Sequence, residues 1–300
     1  MSRGKNYILF LMSLVFIALL WLSLLFSPTF ASADVNQTLN MTVNITNAAP
    51  DVRSVVCPST INLEAYGNMS FICNVTVFDY DNNTESVNAT FFYFQNRTNE
   101  PDNKNTHYTN TTCTTNDEND TEMEFACGFN VIYFANNGTW RANATAIDSN
   151  AAAATNISNA VTINPLVAIY IPVNTVLRFG DLTFGDTSTD KEANITNAGN
   201  IAVNLSVSGY GLALGDNLAM VCEEGNIPAT YVRYNITSGQ DWNIGMTPLT
   251  GSGVMMRDLY VSKATDENII SQNTTFFKLK VPLSAGGVCQ GNLLFTASLS

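Results

Sequence analysis

Downstream of residue 33, apolar residues recur at every second position in short runs, and no stretch sustains helical spacing. This is the pattern of strands with one buried face, and such faces have to close sheet against sheet. The glycosylation triplet Asn-x-Ser/Thr reinforces that reading. It occurs at Asn36, Asn40, Asn44, Asn68, Asn74, Asn82, Asn88, Asn96, Asn110, Asn119, Asn137, Asn143, Asn156, Asn194, Asn204, Asn235 and Asn273. Seventeen sites stand against about seven expected from a chain with 38 Asn and this Ser and Thr content. A glycan has to face solvent, and side chains alternate across a strand, so parity is a test. With Asn74 outward, Phe71, Cys73, Val75 and Val77 point inward. Asn88 outward turns Val87, Ala89, Phe91 and Tyr93 in, and Asn143 outward turns Trp140, Ala142, Ala144 and Ala146 in. Asn204 outward does the same for Val203, Leu205 and Val207. Each of these four sequons falls opposite a core row.

The runs predict strands at 52–56, 61–65, 71–78, 87–94, 123–133, 140–147 and 160–163, with the Asn/Thr-rich stretch 95–120 as a solvated loop. Seven strands in 51–164 fit an immunoglobulin-like sandwich. A second sandwich over 165–300 is expected from runs at 167–171, 176–179, 192–197, 201–207, 230–236, 254–261, 274–281 and 291–298. The expected fold class is therefore all-β: two tandem antiparallel β-sandwich domains, the first immunoglobulin-like, after an N-terminal hydrophobic segment. Residues 34–50 are read as an extra strand and a hinge. Leu39, Met41, Val43 and Ile45 alternate there with Asn40, Thr42, Asn44 and Thr46. That strand either pairs with an edge of its own first domain, the expected outcome, or fills an edge in a neighbouring molecule.

Residues 1–33 carry Arg3 and Lys5, an apolar run over 7–26, and the small-x-small step Ala31-Ser32-Ala33. This is the order of a secretory signal cleaved after Ala33. The run is also just long enough for an uncleaved membrane anchor, and a leader cut near Gly4 is a third alternative. Everything from Asp34 onward is expected outside the cell. Formal charge is −12, and both halves are acidic, so nucleic acid and anionic lipid are poor partners. Contact with a membrane is expected only through the N-terminal segment. Six cysteines in an exported chain favour disulfides. Four lie in the first half, which allows three connectivities; Cys222 and Cys289 have only each other in the second.

Asn137-Gly138-Thr139-Trp140, followed by alternation to Asp148, resembles the late strand of immunoglobulin-like, cadherin-like or PKD-like surface modules. The run Asn197-Ala198-Gly199-Asn200 resembles the hairpins of β-sandwiches in archaeal cell-surface glycoproteins, as does the Gly-Gly-x-Cys-x-Gly step at 286–291. The resemblance implies a class of module and no activity. In true immunoglobulins a cysteine on the late strand is bridged to the second strand. Here Ala142 and Ala144 occupy it, so the preferred pairs are Cys57–Cys73 and Cys113–Cys127.

No catalytic constellation is apparent. His107 is the one histidine, in a loop-like context without a Gly-x-Ser-x-Gly elbow, and a triad needs a positioned base. Zinc lacks its Cys-x-x-Cys or histidine ligands, and no other cofactor is expected. Oxygen ligands alternate in Asp79-Tyr80-Asp81-Asn82-Asn83-Thr84-Glu85, which suits a hard cation such as Ca²⁺. The loop after Asp148 is expected at the same end of the sandwich, so Asp79, Asp81 and Asp148 are the candidate calcium ligands. The acidic run 117–122 is read as solvated loop. The expected function is a non-catalytic surface glycoprotein, structural or adhesive, contacting cell-envelope proteins or surface glycans. The alternatives are a filament subunit assembled by strand exchange and a secreted carbohydrate-binding or hydrolytic module.

Overall fold

The computed structural model describes residues 5–25, 38–44, 46–96, 99–119 and 121–300, in two units, Met1–Thr46 and Asn47–Ser300. In the first unit α1 spans Lys5–Leu25. Among the described residues no helix is long and apolar enough to cross a membrane. The cleavage position after Ala33 lies outside the described residues, as do Asn36 and Ile45. Residues 38–44 and 46 form no strand, where the alternating pattern predicts one. Leu39, Met41 and Val43 are 86, 88 and 83% exposed.

The second unit is all β, in two sandwiches. The first contains β1 Asp51–Val56, β2 Thr60–Ile61, β3 Asn68–Phe78, β4 Thr84–Tyr93, β5 His107–Asn110, β6 Thr114–Asn119, β7 Glu122–Ile132, β8 Gly138–Asp148, β9 Ala153–Ile157 and β10 Val161–Ile163. One sheet runs β1-β3-β7-β6; the other runs β2-β10-β8-β4-β5, with β9 also paired to β8. The inward rows are those that the sequons imply. Cys73, Val75, Val77, Val87, Ala89, Phe91, Trp140, Ala142, Ala144 and Ala146 are buried, and Phe71 and Tyr93 are partly so. Trp140 stacks on Phe91 at 4.8 Å and donates its indole N–H to Asn136 O at 2.7 Å, satisfying the one polar atom of an otherwise apolar ring.

The stretch 95–120 is not the loop its composition suggests. β5 pairs with β4 and β6 with β7, and His107 and Tyr108 are buried. Edge strands of this kind are held by backbone pairing, which polar residues allow even though their intrinsic preference is weak. The acidic run thus lies partly in β6. Cys113, immediately before β6, is bonded to Cys127 on β7.

The second sandwich contains β11 Ile169–Tyr170, β12 Lys191–Asn197, β13 Val203–Tyr210, β14 Leu218–Glu224, β15 Asn226–Pro228, β16 Val232–Asn235, β17 Thr247–Pro248, β18 Val254–Val261, β19 Gln272–Leu279, β20 Gly286–Gln290 and β21 Asn292–Leu299. Its sheets run β11-β12-β19-β16-β17, β18-β13-β21 and β15-β14-β20. Residues 176–179 form no strand, but Leu177 and Phe179 pack on the core as a strand's inner face would. The unforeseen β14 and β20 carry the Cys222–Cys289 bridge between directly opposed residues. The third disulfide is Cys57–Cys73, and no described cysteine is free.

The two cores are joined by a clamp. Asn200 Oδ1 accepts Leu166 N–H at 2.7 Å, and Asn200 Nδ2 donates to Asn164 O at 3.1 Å. Ala198 N–H donates to Ala168 O at 2.9 Å. At Gly199 a Cβ would sit 2.0 Å from Leu166 O, so only glycine allows this approach.

Candidate functional site

β3 ends at Phe78, and Asp79, the next position on the inward row of Cys73, Val75 and Val77, is fully buried. Its Oδ2 accepts Thr84 Oγ1–H at 2.7 Å and Asn83 N–H at 3.3 Å, closing a tight loop through Asn82 at φ +49°. β8 ends likewise at buried Asp148. Its Oδ1 accepts the amides of Asn150 and Ala152 at 2.9 and 2.8 Å. Thr84 registers opposite Asp148, and Ser149 N–H donates to Asn83 O at 3.0 Å. The loops after β3 and β8 therefore share one end of the sandwich.

What joins them is a residue outside the sequence's candidate set. Asn47 Nδ2 donates to Asp148 Oδ2 at 2.7 Å. Asn47 Oδ1 accepts from Asn83 Nδ2 at 2.7 Å and Asn150 Nδ2 at 2.5 Å. Ala48 N–H reaches Asp81 Oδ2 at 3.2 Å. The Asn47 bond is the main reason the Asp148 carboxyl is held below its usual range; burial opposes, and the two backbone amides assist. Asp79, Asp81 and Asp148 thus serve one end, each on its own donors. Among the described residues no three or more Asp, Glu, His or Cys are grouped to hold a metal ion, so the all-carboxylate set is not formed. Two acceptors nevertheless stand bare: Asp79 Oδ1 and Asn83 Oδ1 are buried without a hydrogen-bond partner among the described residues.

His107 is buried, with Nδ1 2.9 Å from Asp102 Oδ1. Burial works against the Asp102 carboxylate, but hydrogen bonds from Thr109 and His107 outweigh it and hold its pKa low. Both partners belong to the segment that forms β5, so the pair ties that edge in place.

Fifteen sequon asparagines have described side chains, and none is buried; that of Asn119 lies outside the described residues. By contrast Asn197 and Asn200, which are not in sequons, are 0 and 1% exposed. Some sequon amides are already engaged: Asn156 Nδ2 donates to Val52 O at 2.7 Å and Asn273 Nδ2 to Tyr260 O at 2.6 Å.

The fold and this end define an all-β, disulfide-bonded tandem sandwich. No family model matches the chain, and no curated protein is similar to it. Among solved structures it is similar to the C-terminal domain of the AgI/II polypeptide BspA of Streptococcus agalactiae, at 10% identity over 81% of this chain and 97% of that one, TM-score 0.22. It is also similar to a DUF4466 family protein from Parabacteroides merdae, at 10% identity over 79% and 98%, TM-score 0.20. Superpositions this loose say nothing about activity.

Proposed function

We propose that this chain is an exported, N-glycosylated cell-surface protein that works through protein or glycan contacts and has no catalytic role. The observation that carries this is the placement of the sequons: every described sequon side chain is at least partly exposed, and Asn74, Asn88, Asn143 and Asn204 alternate with buried rows. Three disulfides fit an oxidising exterior, and the acidic balance disfavours nucleic acid. The N-terminal segment is the export signal, and the partners are cell-envelope proteins or surface glycans. The hairpin at 197–200 supports the finer, archaeal-type form of the reading. Intact mass and N-terminal sequencing of protein extracted from its native surface test the proposal. A chain starting at Asp34 with several glycans supports it; an unmodified chain overturns it.

Calcium belongs to this proposal at the Asp79 end, where the two bare oxygens support a hard cation. A second reading, a filament subunit assembled by strand exchange, is favoured by the exposure of Leu39, Met41 and Val43. An alternating apolar row in water is a strand without its sheet.

A further inference from the structure

The second sandwich is lopsided. Five strands, β11-β12-β19-β16-β17, stand on one side of the core and three, β18-β13-β21, on the other, while the β15-β14-β20 sheet adds Ala219, Ile227, Met220, Cys222 and Cys289 to it. Phe277 of β19 meets Phe295 of β21 across it, edge to face at 6.0 Å. On the β18 flank the core is closed, with Met256 and Leu259 only 2 and 4% exposed. On the β21 flank it is open. Leu293, Phe295 and Ala297 pack on the core yet are only partly buried, and among the described residues β21 pairs on one side alone, with β13. Proteins usually guard such an edge with charge, proline or a bulge. β21 has no charged residue and no proline, and its register with β13 is unbroken over eight pairs.

We infer that the free edge of β21 takes up residues 39–46 of a second copy of this chain. The segment matches the vacancy in length, charge and parity. Eight extended residues reach about 26 Å, the length of eight-residue β21. Neither strand carries a charge. Leu39, Met41, Val43 and Ile45 would extend the row of Leu293, Phe295 and Ala297 over the core, leaving Asn40 and Asn44 in solvent. Donor and acceptor are different surfaces, so the contact is head-to-tail and propagates into a filament. This deepens the strand-exchange reading and rests on it; what it adds is the acceptor.

The test uses the full chain in two preparations, Val43→Cys and Ala297→Cys, mixed with a short bis-maleimide; the native cysteines are all in disulfides and stay silent. Linked dimers are expected in the mixture and in neither preparation alone. Because Ala297 is partly buried, Ser298→Cys on the exposed face with a longer linker repeats the measurement if Ala297→Cys fails to fold. Separately, Val43→Asp is expected to weaken self-association at least tenfold in sedimentation, with the melting temperature unchanged. If Val43→Asp abolishes association but no mixed dimer forms, β21 is not the acceptor, while strand exchange stands. If Val43→Asp leaves association intact, or the chain never associates, strand exchange itself fails. Linking within Val43→Cys alone would mean that the segment pairs with its own counterpart, which overturns the assignment.

Discussion

Lys263 Nζ lies 2.6 Å from Asn136 Oδ1, and this contact joins the second sandwich to the first. The same ammonium donates to Asn105 Oδ1 at 2.5 Å and Phe134 O at 2.9 Å. All three acceptors are neutral, so burial is uncompensated by a carboxylate and pushes the Lys263 pKa from 10.5 down to about 8. Asn136 also takes the Trp140 indole N–H on its carbonyl, so the contact is anchored in the first core.

The sign of the resulting pH dependence follows. The unfolded chain keeps its proton up to 10.5, while the folded chain releases it near 8. Between those values the unfolded state holds more protons, and stability rises with pH. Lys263→Met has no such proton. Wild type should therefore gain on the variant in urea midpoint between pH 8 and 10.5; a gap constant across that range would show that the ammonium is not desolvated.

Gly199 makes a second junction testable. A methyl group there meets the Leu166 carbonyl, which is backbone and cannot swing aside. Gly199→Ala should cost at least about 1 kcal/mol and speed hydrogen exchange at Leu166 and Ala198, whose amides the clamp engages. Ala202→Gly, outside the clamp, serves as control. Unchanged exchange at Leu166 would mean that the linker holds without the clamp.

Much of this architecture was legible because one rule acted everywhere: a sequon outward fixes the opposite row inward, as at Cys73, Phe91, Trp140 and Leu205. Cysteine pairing followed from the absent late-strand cysteine. Cys73 and Cys127 are direct cross-strand partners, yet each bonds outward, to Cys57 and Cys113. What stayed hidden depended on backbone groups or distant partners. β5 and β6 are polar strands held by pairing. Asn47 and Lys263 act across 101 and 127 residues of sequence, respectively, and no local pattern marks them. The hairpin 197–200 reads as a turn; that it clamps the linker is visible only in three dimensions.

The Cys222–Cys289 bridge closes a 67-residue separation. In the chain-entropy account, losing it costs about 4 kcal/mol, against about 3 kcal/mol for the shorter Cys57–Cys73 loop. Replacing both cysteines of each pair by serine and comparing denaturant midpoints should rank the two in that order. The reverse ranking would put native-state packing, not loop length, in control.

Asn47 and Asp148 give an acid-side test. The folded Asp148 carboxyl is held below 3.8, chiefly by the Asn47 amide. Its contribution is present above the unfolded value and is lost as pH falls through the folded one. Asn47→Ala should be less stable than wild type near neutrality, and the difference should shrink as pH drops below about 4. A difference that persists unchanged at pH 2 would assign the effect to Asn83 and Asn150, which Asn47 also holds.

The last prediction concerns the bare oxygens of the Asp79 end. A buried acceptor without a donor costs roughly 1–3 kcal/mol, and two of them, Asp79 Oδ1 and Asn83 Oδ1, occur four residues apart. Both are acceptors only, so a donor side chain or a cation relieves them, and Asp81 and Asp148 bias the end toward positive charge. Extracellular modules bind calcium with dissociation constants around 10⁻⁴–10⁻³ M. Calcium at about ten times such a constant stabilises the folded state by about 1.4 kcal/mol, equivalent to roughly 3–6 °C for a chain this size. Chelation should reverse the shift, and magnesium, which sheds water reluctantly, should produce less of it. Asp79→Asn keeps the shape while removing the charge, and should abolish the calcium shift even if the variant itself melts lower. A shift retained in Asp79→Asn would place the ion elsewhere, and a wild-type melting curve indifferent to 10 mM calcium would remove the ion altogether, leaving Asp79 as a buried carboxylate that closes its loop through Thr84 and Asn83.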